Sequence, residues 1–436
     1  MNMIRFLPIL ALLTFSSTCP ASNTQNESDA MQITTHFNDL TGIACDNTAQ
    51  YCVAVGTAVN NRVEHIVYTT RDGGITWNHD TTLSHPDQED KLIDTVEPLS
   101  SGQVFTTVRC DMTGTDCLIA ATASISGQPT LLTYTSHDAG HNWSKPFLIN
   151  VADQTPARAF VDDYPFLRLK CNANASWCIL AGNTVSQQQH TPVFFTTQNL
   201  GESWSSATYL SVPSNVPYGL DVLDLGCDSS GLICTAVTST QDSFDGKQTS
   251  QPPHMGLIYS THDGGNTWSD AKPLMISRGN QDAVAAPNDV INILTCDQSG
   301  LSCIALGTSY TVQHTEDSIE ILDNPAHSYL TKNGGLSWQD ASEISADKDY
   351  TQSFTALDCD VSNRFCAAVG IKSNDKEEDS YLPIIHTTTD GGQTWQKKPL
   401  TPPENASSFM LDVFCSEDAS FCHTVGFFLK AIKHIE

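Results

Sequence analysis

Two cysteines with six residues between them recur seven times along this chain of 436 residues. The first cysteines of successive pairs are 56 to 69 residues apart. Repeats of this length that contain strand-like segments are typical of propellers and related arrays. The pairs are Cys45/Cys52, Cys110/Cys117, Cys171/Cys178, Cys227/Cys234, Cys296/Cys303, Cys359/Cys366 and Cys415/Cys422.

Each repeat contains the pattern of four short strands. An apolar strand ends at the first cysteine, as in 293–296, and a polar turn leads to a second strand that begins at the second cysteine, as in 303–307. A third strand, such as 258–261, leads into a glycine-rich turn, and the fourth strand opens with tryptophan. Four antiparallel strands per repeat predict one propeller blade.

The glycine-rich turn before the tryptophan occurs six times, and we call each copy a box turn. Its Asp or Asn is expected to accept hydrogen bonds from the turn backbone, and its glycine tolerates a positive φ. Its tryptophan is expected to pack between sheets and to donate its N–H to a carbonyl. The box turns are 71–77, 137–143, 198–204, 262–268, 332–338 and 389–395.

These turns resemble the Asp-box, or bacterial neuraminidase repeat, which occurs in sialidases, sortilin-type receptors and photosystem II assembly-factor propellers. The resemblance covers nearly the whole chain after its first 30 residues. It implies a β-propeller in which the box is a structural turn that lies away from the ligand site.

Seven cysteine pairs and six box turns imply an incomplete last repeat. The seventh unit, 415–435, has no box turn and no fourth strand, whereas Met31–Thr35 has no unit of its own. Pairing between the two would remove free sheet edges. We therefore predict an all-β fold: one domain over residues 31–436, a seven-bladed propeller of four-stranded antiparallel blades, whose last blade the N-terminal strand completes.

The first residues are predicted to be a secretory signal. Arg5 precedes an apolar run, 6–15, and small residues follow near Ala21, where we predict cleavage. Residues 22–30 are then a flexible N-terminal segment. A lipid anchor at Cys19 is a minor alternative. No apolar run reaches the ~18 residues of a membrane-spanning helix.

Fourteen of the fifteen cysteines form the seven pairs, and the remaining one is Cys19. Paired cysteines behind an export signal predict one disulfide in each blade and an extracytoplasmic, periplasmic or extracellular, location. Residues i and i+7 of a hairpin lie opposite each other, within disulfide reach. Thiolate metal sites are the alternative, but the close Cys-x-x-Cys pairs typical of them are missing. We predict no metal and no cofactor.

The chain is acidic, with 21 Lys and Arg against 49 Asp and Glu and a formal charge of −28. Such a surface repels nucleic acid and anionic lipid. It keeps the protein soluble, and we predict a monomer. Attraction of a cationic partner is an alternative role for the charge.

The order of strands assigns the loops to two faces. The cysteine hairpins and box turns share one side, the turn face, and have nearly constant length. The loops between second and third strands and the crossovers between blades share the other side, the loop face, and vary. Binding usually resides in variable loops on a rigid scaffold, so we expect it on the loop face and at the channel mouth.

One loop-face segment, 158–168, combines two arginines, two carboxylates and three aromatic residues. This mixture suits a carbohydrate or carboxylate ligand, although a crossover that pairs its own charges is the simpler interpretation. The predicted binding residues are Arg158, Asp162, Asp163, Tyr164 and Phe166.

A sialidase-like exo-glycosidase is the enzymatic alternative. It needs several arginines around a carboxylate, an acid and a tyrosine nucleophile. The Phe/Tyr-Arg-Ile-Pro motif of sialidases is absent, and their propellers have six blades. If the protein is a glycosidase, the candidate catalytic residues are Arg158, Arg168, Arg278, Asp162, Asp163 and Tyr164.

We therefore predict a secreted, bacterial, non-catalytic propeller that binds an unidentified protein or glycan through the loop face. Arginines clustered at the channel mouth would favour the glycosidase. Scattered arginines and a neutral or acidic mouth would favour the binding protein.

Overall fold

The three-dimensional structure is a computed structural model. It describes residues 7–8, 10–15, 32–36, 39–59, 63–83, 106–125, 128–149, 167–186, 189–214, 216, 219–240, 255–314, 319–323, 325–344, 351–373, 381–398, 406–418 and 421–430.

The regular structure of the described residues is entirely β and forms eight sheets. Seven of them are the blades, which we number in chain order, and the eighth is a two-stranded sheet of residues 311–314 and 319–323. Blade 1 contains β4 (Asp39–Cys45), β5 (Cys52–Val59), β6 (Val63–Thr70) and β7 (Asn78–Thr82). Blade 2 contains β8 (Thr106–Cys110), β9 (Cys117–Ile125), β10 (Gln128–Ser136) and β11 (Phe147–Ile149). Blade 3 contains β12 (Arg168–Cys171), β13 (Cys178–Ser186), β14 (Gln189–Thr197) and β15 (Thr208–Tyr209). Blade 4 contains β16 (Leu220–Cys227), β17 (Cys234–Thr240), β18 (Gly256–Thr261) and β19 (Lys272–Pro273).

Blade 5 has the same four strands with additions at its outer edge and in its second loop. Its four strands are β22 (Asp289–Cys296), β23 (Cys303–Ser309), β26 (Ala326–Thr331) and β27 (Trp338–Ile344). The additions are β20 (Met275–Arg278), β21 (Val284–Ala285), β24 (Thr311–His314) and β25 (Ile319–Asp323). Blade 6 contains β28 (Thr351–Cys359), β29 (Cys366–Ser373), β30 (Tyr381–Thr388) and β31 (Gln396–Lys398).

Blade 7 joins the two ends of the chain. Its inner strands are β32 (Ala406–Cys415) and β33 (Cys422–Lys430), and the others are β1 (Leu7–Pro8), β2 (Leu10–Phe15) and β3 (Gln32–His36). The N-terminal strand predicted at Met31–Thr35 is thus present, one residue further on, in the last blade. β3 pairs with β2, and β2 pairs with β33. The region predicted as a secretory signal therefore supplies the third strand, which the sequence did not predict.

The blades close into a ring on the turn face. The first strands of neighbouring blades contact each other in chain order, and β32 of blade 7 contacts β4 of blade 1. Backbone hydrogen bonds of 2.9–3.4 Å join the cysteine hairpins in the same order, at the residue two after the first cysteine. The bonds run from Glu417 to Asn47, Asn47 to Met112, Met112 to Ala173, Ala173 to Ser229, Ser229 to Gln298, and Val361 to Glu417. The predicted seven-bladed β-propeller is confirmed.

All seven predicted disulfides are present. In each blade the two cysteines lie directly opposite each other, with Cα atoms 4.0–4.1 Å apart. The polar residue after the first cysteine closes the turn: an oxygen of Asp360, for example, accepts the N–H groups of Arg364 and Phe365 at 2.8 and 3.1 Å. Short strands joined by such a turn place the two sulfurs side by side.

The box turns are built almost entirely from their own side chains. Asp390 accepts the N–H of Thr394 at 2.9 Å and the hydroxyls of Thr394 and Thr388 at 2.6 and 2.7 Å. The hydroxyl of Thr388 in turn accepts the N–H of Gly392 at 3.0 Å. Hairpin and box of one blade are also bonded, as in Gly391 to Arg364. The predicted shared face is therefore confirmed.

The second glycine of the box turn holds the blades close together. Gly201 has φ +82°, and a β-carbon there would lie 2.5 Å from Leu118 of the preceding blade. No other residue fits this position without displacing its neighbour.

The predicted bond from the box tryptophan to a carbonyl is found only in part. The indole N–H of Trp143 donates to the carbonyl of Gly140, and that of Trp204 donates to the hydroxyl of Thr133. In the described part of the chain, the indole nitrogens of the other four box tryptophans have no hydrogen-bond partner; these are Trp77, Trp268, Trp338 and Trp395. The predicted carbonyl acceptor is therefore confirmed for Trp143 and was wrong for the other five box tryptophans.

Candidate functional site

The predicted site residues are described for two positions only. Arg168 lies on the first strand of blade 3 and Arg278 lies on the added strand β20 of blade 5. The two arginines belong to separate ion-pair groups, so the structure does not bring them together. The remaining predicted residues lie outside the described residues; these are Arg158, Asp162, Asp163, Tyr164 and Phe166.

Side chains of the first strands divide by strand periodicity. The residue two before the first cysteine is Ile, Val or Leu in every blade and is buried; these are Ile43, Val108, Leu169, Leu225, Leu294, Leu357 and Val413. The residues one and three before the cysteine lie on the opposite side of the strand and include charged side chains. They are Arg109, Lys170, Arg168, Asp224, Asp358 and Asp412, and we call them the ring charges.

The three carboxylates among the ring charges each bond to the next blade. Asp224 accepts the N–H of Leu294 at 3.0 Å, and Asp358 accepts that of Cys415 at 2.7 Å. Asp412 accepts the N–H of Ile43 at 3.0 Å, which closes blade 7 onto blade 1. These carboxylates therefore hold neighbouring first strands together.

The two ring arginines are neutralised by the same carboxylates. Arg109 lies 3.6 Å from Asp412, and Arg168 lies 3.7 Å from Asp224. Each guanidinium also donates to a backbone carbonyl at 2.7 Å, Arg109 to Val108 and Arg168 to Leu223. Each guanidinium is thus paired with a charge and bonded to the backbone within the ring.

Asp358 is the ring charge whose ionisation the structure opposes. Burial raises the pKa of this carboxyl from its ordinary 3.8 to about 6, and the N–H of Cys415 and the charges of Lys170 and Arg109 limit the rise. Removal of a carboxylate from water outweighs these favourable interactions. The Asp358 carboxyl therefore changes its charge in mildly acidic solution.

A second polar group lies within blade 5, and we call it the blade-five cluster: Arg278, Asp289, His327, Tyr329 and Asp340. Arg278 lies 2.6 Å from Asp289 and 3.3 Å from Asp340. Tyr329 donates to Asp289 at 2.8 Å, and His327 lies 3.0 Å from Asp340. Because Asp289 opens β22 at the end away from Cys296, the cluster lies toward the loop face.

Burial and neighbouring charges set the ionisation of the blade-five cluster. Burial and the adjacent carboxylate of Asp289 raise the pKa of Tyr329 well above its ordinary value, so the phenol stays protonated. Burial opposes the charge of Arg278, but bonding to Asp289 and the charges of Asp289 and Asp340 raise its pKa nonetheless. The Arg278 side chain is 43% exposed, whereas those of Asp289 and Asp340 are 4% and 13% exposed. Of these three side chains, that of Arg278 is thus the one that reaches solvent.

Sequence reasoning missed most of both groups. Asp289, His327 and Asp340 belong to three different strands, and only the packing of β20 against β27 joins them to Arg278. The ring charges could have been found from a pattern in the sequence. Polar residues alternate with apolar ones just before the first cysteine, as in Asp224-Leu225 and Asp412-Val413.

One group of three potential metal ligands occurs among the described residues: Cys45, Cys52 and His423. The two sulfurs are joined in a disulfide, so they are not available as thiolate ligands. The Nε2–H of His423 donates to the carbonyl of Ala49 at 3.0 Å, and burial lowers the pKa of this imidazole. These residues fit a packed core better than a metal centre.

Comparisons with known proteins identify the fold and leave the chemistry open. No family model and no curated protein matches the chain. Among solved structures, a polysaccharide lyase of family PL25, an ulvan lyase, aligns over 97% of this chain and 96% of its own, with a TM-score of 0.51 and 9% identity. YCF48 bound to a D1 peptide aligns over 91% and 93%, with a TM-score of 0.44 and 14% identity. The α-L-arabinofuranosidase Arb93A from Fusarium graminearum aligns over 98% and 99%, with a TM-score of 0.44 and 10% identity.

The likeness to the ulvan lyase spans almost the whole of both chains and agrees with the β-propeller expected from the box turns. At this identity it shows the fold alone. Among the described residues, no helix has the length and apolar character needed to cross a membrane. Seven disulfides indicate an oxidising, extracytoplasmic environment.

Proposed function

We propose that this protein is a secreted, non-catalytic, monomeric propeller that binds a protein or a glycan on its loop face. The observation that carries the proposal is the state of its arginines. Arg109, Arg168 and Arg278 lie in different blades, and each forms an ion pair with an aspartate of the fold. A sialidase-like site needs several arginines that converge on one substrate carboxylate.

The proposed binding surface surrounds the blade-five cluster. Arg278 is held in place by Asp289 and Asp340, and nearly half of its side chain remains exposed. A guanidinium has five N–H donors, so some remain for a ligand carbonyl, hydroxyl or carboxylate. The loop-face segment with Arg158, Asp162, Asp163, Tyr164 and Phe166 is proposed to extend this surface.

An exo-glycosidase remains the second candidate because one observation favours it. The blade-five cluster places an arginine, a tyrosine and two carboxylates within bonding distance of one another, which is the set of residue types that a glycosidase uses. The raised pKa of Tyr329 opposes a nucleophilic role. Turnover measurements separate the two functions.

The deciding experiment combines a glycan array, a pull-down from extracellular proteins and fluorogenic exo-glycosides, a sialoside among them, on the purified oxidised protein. We expect a bound glycan or protein and no turnover. Arg278→Ala and Arg158→Ala should weaken binding at least about fivefold, as loss of an interface arginine does. Arg364→Ala is the matched control, because Arg364 is exposed in a cysteine hairpin on the turn face.

Two outcomes contradict the proposal. Turnover that disappears in Arg278→Ala would make the protein a glycosidase. Binding that Arg364→Ala abolishes, and that Arg278→Ala and Arg158→Ala leave intact, would place the ligand on the turn face.

A further inference from the structure

Large apolar side chains that remain exposed are concentrated on the turn face. Eleven such side chains occur in the described part of the chain, and seven of them lie in cysteine hairpins or box turns. The other four lie on outer strands of blades 2, 3 and 5; these are Phe147, Leu148, Tyr209 and Val284. Exposed apolar side chains that gather on one face mark contact surfaces, whereas scattered ones do not. The seven on the turn face are Tyr51, Ile75, Met112, Leu232, Leu301, Leu336 and Val361.

One group of these side chains spans blades 1 and 2. A β-carbon on Gly114 of blade 2 would lie 3.5 Å from the Cβ of Tyr51 in blade 1. Met112 precedes Gly114 by two residues in the same hairpin, and its carbonyl accepts the N–H of Asn47 of blade 1 at 2.9 Å. Ile75 adds an exposed side chain from the box turn of blade 1. The apolar surface therefore crosses the boundary between two blades.

A second group, which we call the leucine group, spans blades 4 and 5: Leu232, Leu301 and Leu336. In blade 5 the carbonyl of Leu301 bonds at 2.9 Å to the box turn that contains Leu336. A β-carbon on Gly300 of the same hairpin would lie 2.9 Å from the Cβ of Asp228, in the hairpin of blade 4 that contains Leu232. The three leucines thus come from two hairpins and one box turn that adjoin each other.

The turn face is also strongly acidic. Its described hairpins and box turns contain thirteen Asp and Glu against three Lys and Arg, namely Arg71, Lys332 and Arg364. The whole chain has 49 against 21, so the proportion of acidic residues is higher on this face. Burial works against the charge of the four box aspartates, but hydrogen bonds from their turns lower their pKa values. These carboxylates therefore keep their negative charge in mildly acidic solution.

This charge selects among the partners that an apolar surface could take. A second copy of the chain would bring two acidic turn faces together, and they would repel each other. Nucleic acid and anionic membranes are repelled for the same reason. A cationic polypeptide has the opposite charge, and it can supply apolar side chains between its lysines and arginines. Charge complementarity therefore favours a cationic polypeptide.

We propose that the turn face is a second binding surface, separate from the loop face, for a lysine- and arginine-rich polypeptide that carries apolar side chains between its charges. The apolar side chains of the partner pack on the leucine group and on the group that spans blades 1 and 2. Its cations lie near the carboxylates of the hairpins and box turns. The surface acts independently of any ligand on the loop face.

A synthetic peptide of alternating lysine and leucine tests the proposal, with binding to the purified oxidised protein measured by calorimetry. A peptide with glutamate in place of lysine, and one with serine in place of leucine, should each bind at least about tenfold more weakly. Raising the salt from about 50 to about 500 mM should weaken binding of the first peptide at least about threefold, because exposed charges are screened. These comparisons need no substitution in the protein.

Substitutions then locate the peptide. The triple variant of the leucine group, Leu232→Ser with Leu301→Ser and Leu336→Ser, should bind the peptide at least about tenfold more weakly. The matched control replaces three exposed apolar residues of outer strands and should change binding less than about twofold. It combines Phe147→Ser, Leu148→Ser and Val284→Ser.

Two further variants separate the turn face from the loop face. Lys332→Ala with Arg364→Ala removes two exposed cations of the turn face and should tighten binding of the peptide about threefold. Arg278→Ala should leave it unchanged, because Arg278 lies toward the loop face. Loss of peptide binding in Arg278→Ala would overturn the proposal and place the peptide on the loop face.

Other results also overturn the proposal. Equal binding of the lysine and glutamate peptides would exclude a surface that selects cations. Equal loss in the leucine-group variant and in the outer-strand control would mean that the peptide has no preferred face. A wild type of dimer mass that the leucine-group variant converts to a monomer would show that a second copy covers the turn face. Binding to phosphatidylcholine vesicles, but not to the peptide, would indicate a membrane instead.

Discussion

Aspartates serve two different purposes in the box turns and in the first strands of the blades. The box aspartates, Asp72, Asp138, Asp263 and Asp390, bond within their own turn, to residues at most four positions away. The ring aspartates, Asp224, Asp358 and Asp412, bond to residues 70, 57 and 369 positions away, in another blade. The same side chain thus shapes a local turn in one place and joins blades in the other.

The difference also appears in their acidity. Burial works against the charge of the box aspartates, but hydrogen bonds from the turn outweigh it and lower their pKa values. Burial dominates at Asp358 and raises its pKa to about 6. The box aspartates and Asp358 are therefore expected to respond to pH in opposite directions.

The largest loss of folding stability is expected for Asp224→Ala. It leaves the N–H of Leu294 and the charge of Arg168 without their partner in the ring. We expect a loss of roughly 3 kcal/mol in the free energy of unfolding, measured by denaturant titration. Asp282→Ala, at an exposed position, is the control and should change stability by less than about 0.5 kcal/mol. Equal losses for both would show that the ring carboxylates do not join the blades.

Asp358→Asn should stabilise the protein near neutral pH. In the wild type the folded-state pKa of about 6 lies above the ordinary 3.8, so stability falls as pH rises between these values. The asparagine keeps an acceptor for Cys415 and carries no charge. We expect equal stability of the two proteins near pH 4 and a gain of about 2 kcal/mol at pH 7.5, by thermal unfolding. A variant that is less stable at both values would contradict the role of burial.

Thr388→Val should lower the free energy of unfolding by a smaller amount, because it disturbs a single turn. It removes the acceptor for the N–H of Gly392 and a donor to Asp390. A loss of about 1 kcal/mol is expected from the denaturation midpoint. Thr389→Val is the matched control. Thr389 is the next residue, its side chain is exposed, and it takes no part in the hydrogen bonds of the turn described above. A loss above about 3 kcal/mol would mean that the hydroxyl of Thr388, like the ring carboxylates, acts beyond its own turn.

The smallest change in folding stability is expected for Asp390→Asn. Because the folded-state pKa of Asp390 is lowered, its charge stabilises the fold above the ordinary value of 3.8, and this contribution disappears as pH falls below it. The wild type should therefore be slightly more stable than the variant at pH 7 and equal to it near pH 2. A stability advantage of the wild type over the variant that grows as the pH falls would contradict a lowered pKa for Asp390.

The repeats were predictable from the sequence because their bonds are short in sequence. The cysteine at i and its partner at i+7 face each other through one polar turn, and the box turn is completed within seven residues. The count of blades followed from the cysteine pairs, and the closure by residues near 31–35 followed from the missing strand. The parallel strand β20 and the use of residues 10–15 as a third strand were not predictable. Each depends on which sheet edge lies free after the blades have assembled.

The sequence by itself determined the blades, their disulfides and the separation of turn face from loop face, since hairpins and turns arise from contacts between near neighbours in the chain. Tertiary structure alone decided which charges meet. Arg109 and Asp412 are 303 residues apart in number and come within 3.6 Å only when blade 7 closes against blade 1. Arg278 is likewise neutralised only when β20 pairs with β27 at the outer edge of blade 5. Electrostatic partners depend on distance through space, which the order of residues along one strand does not contain.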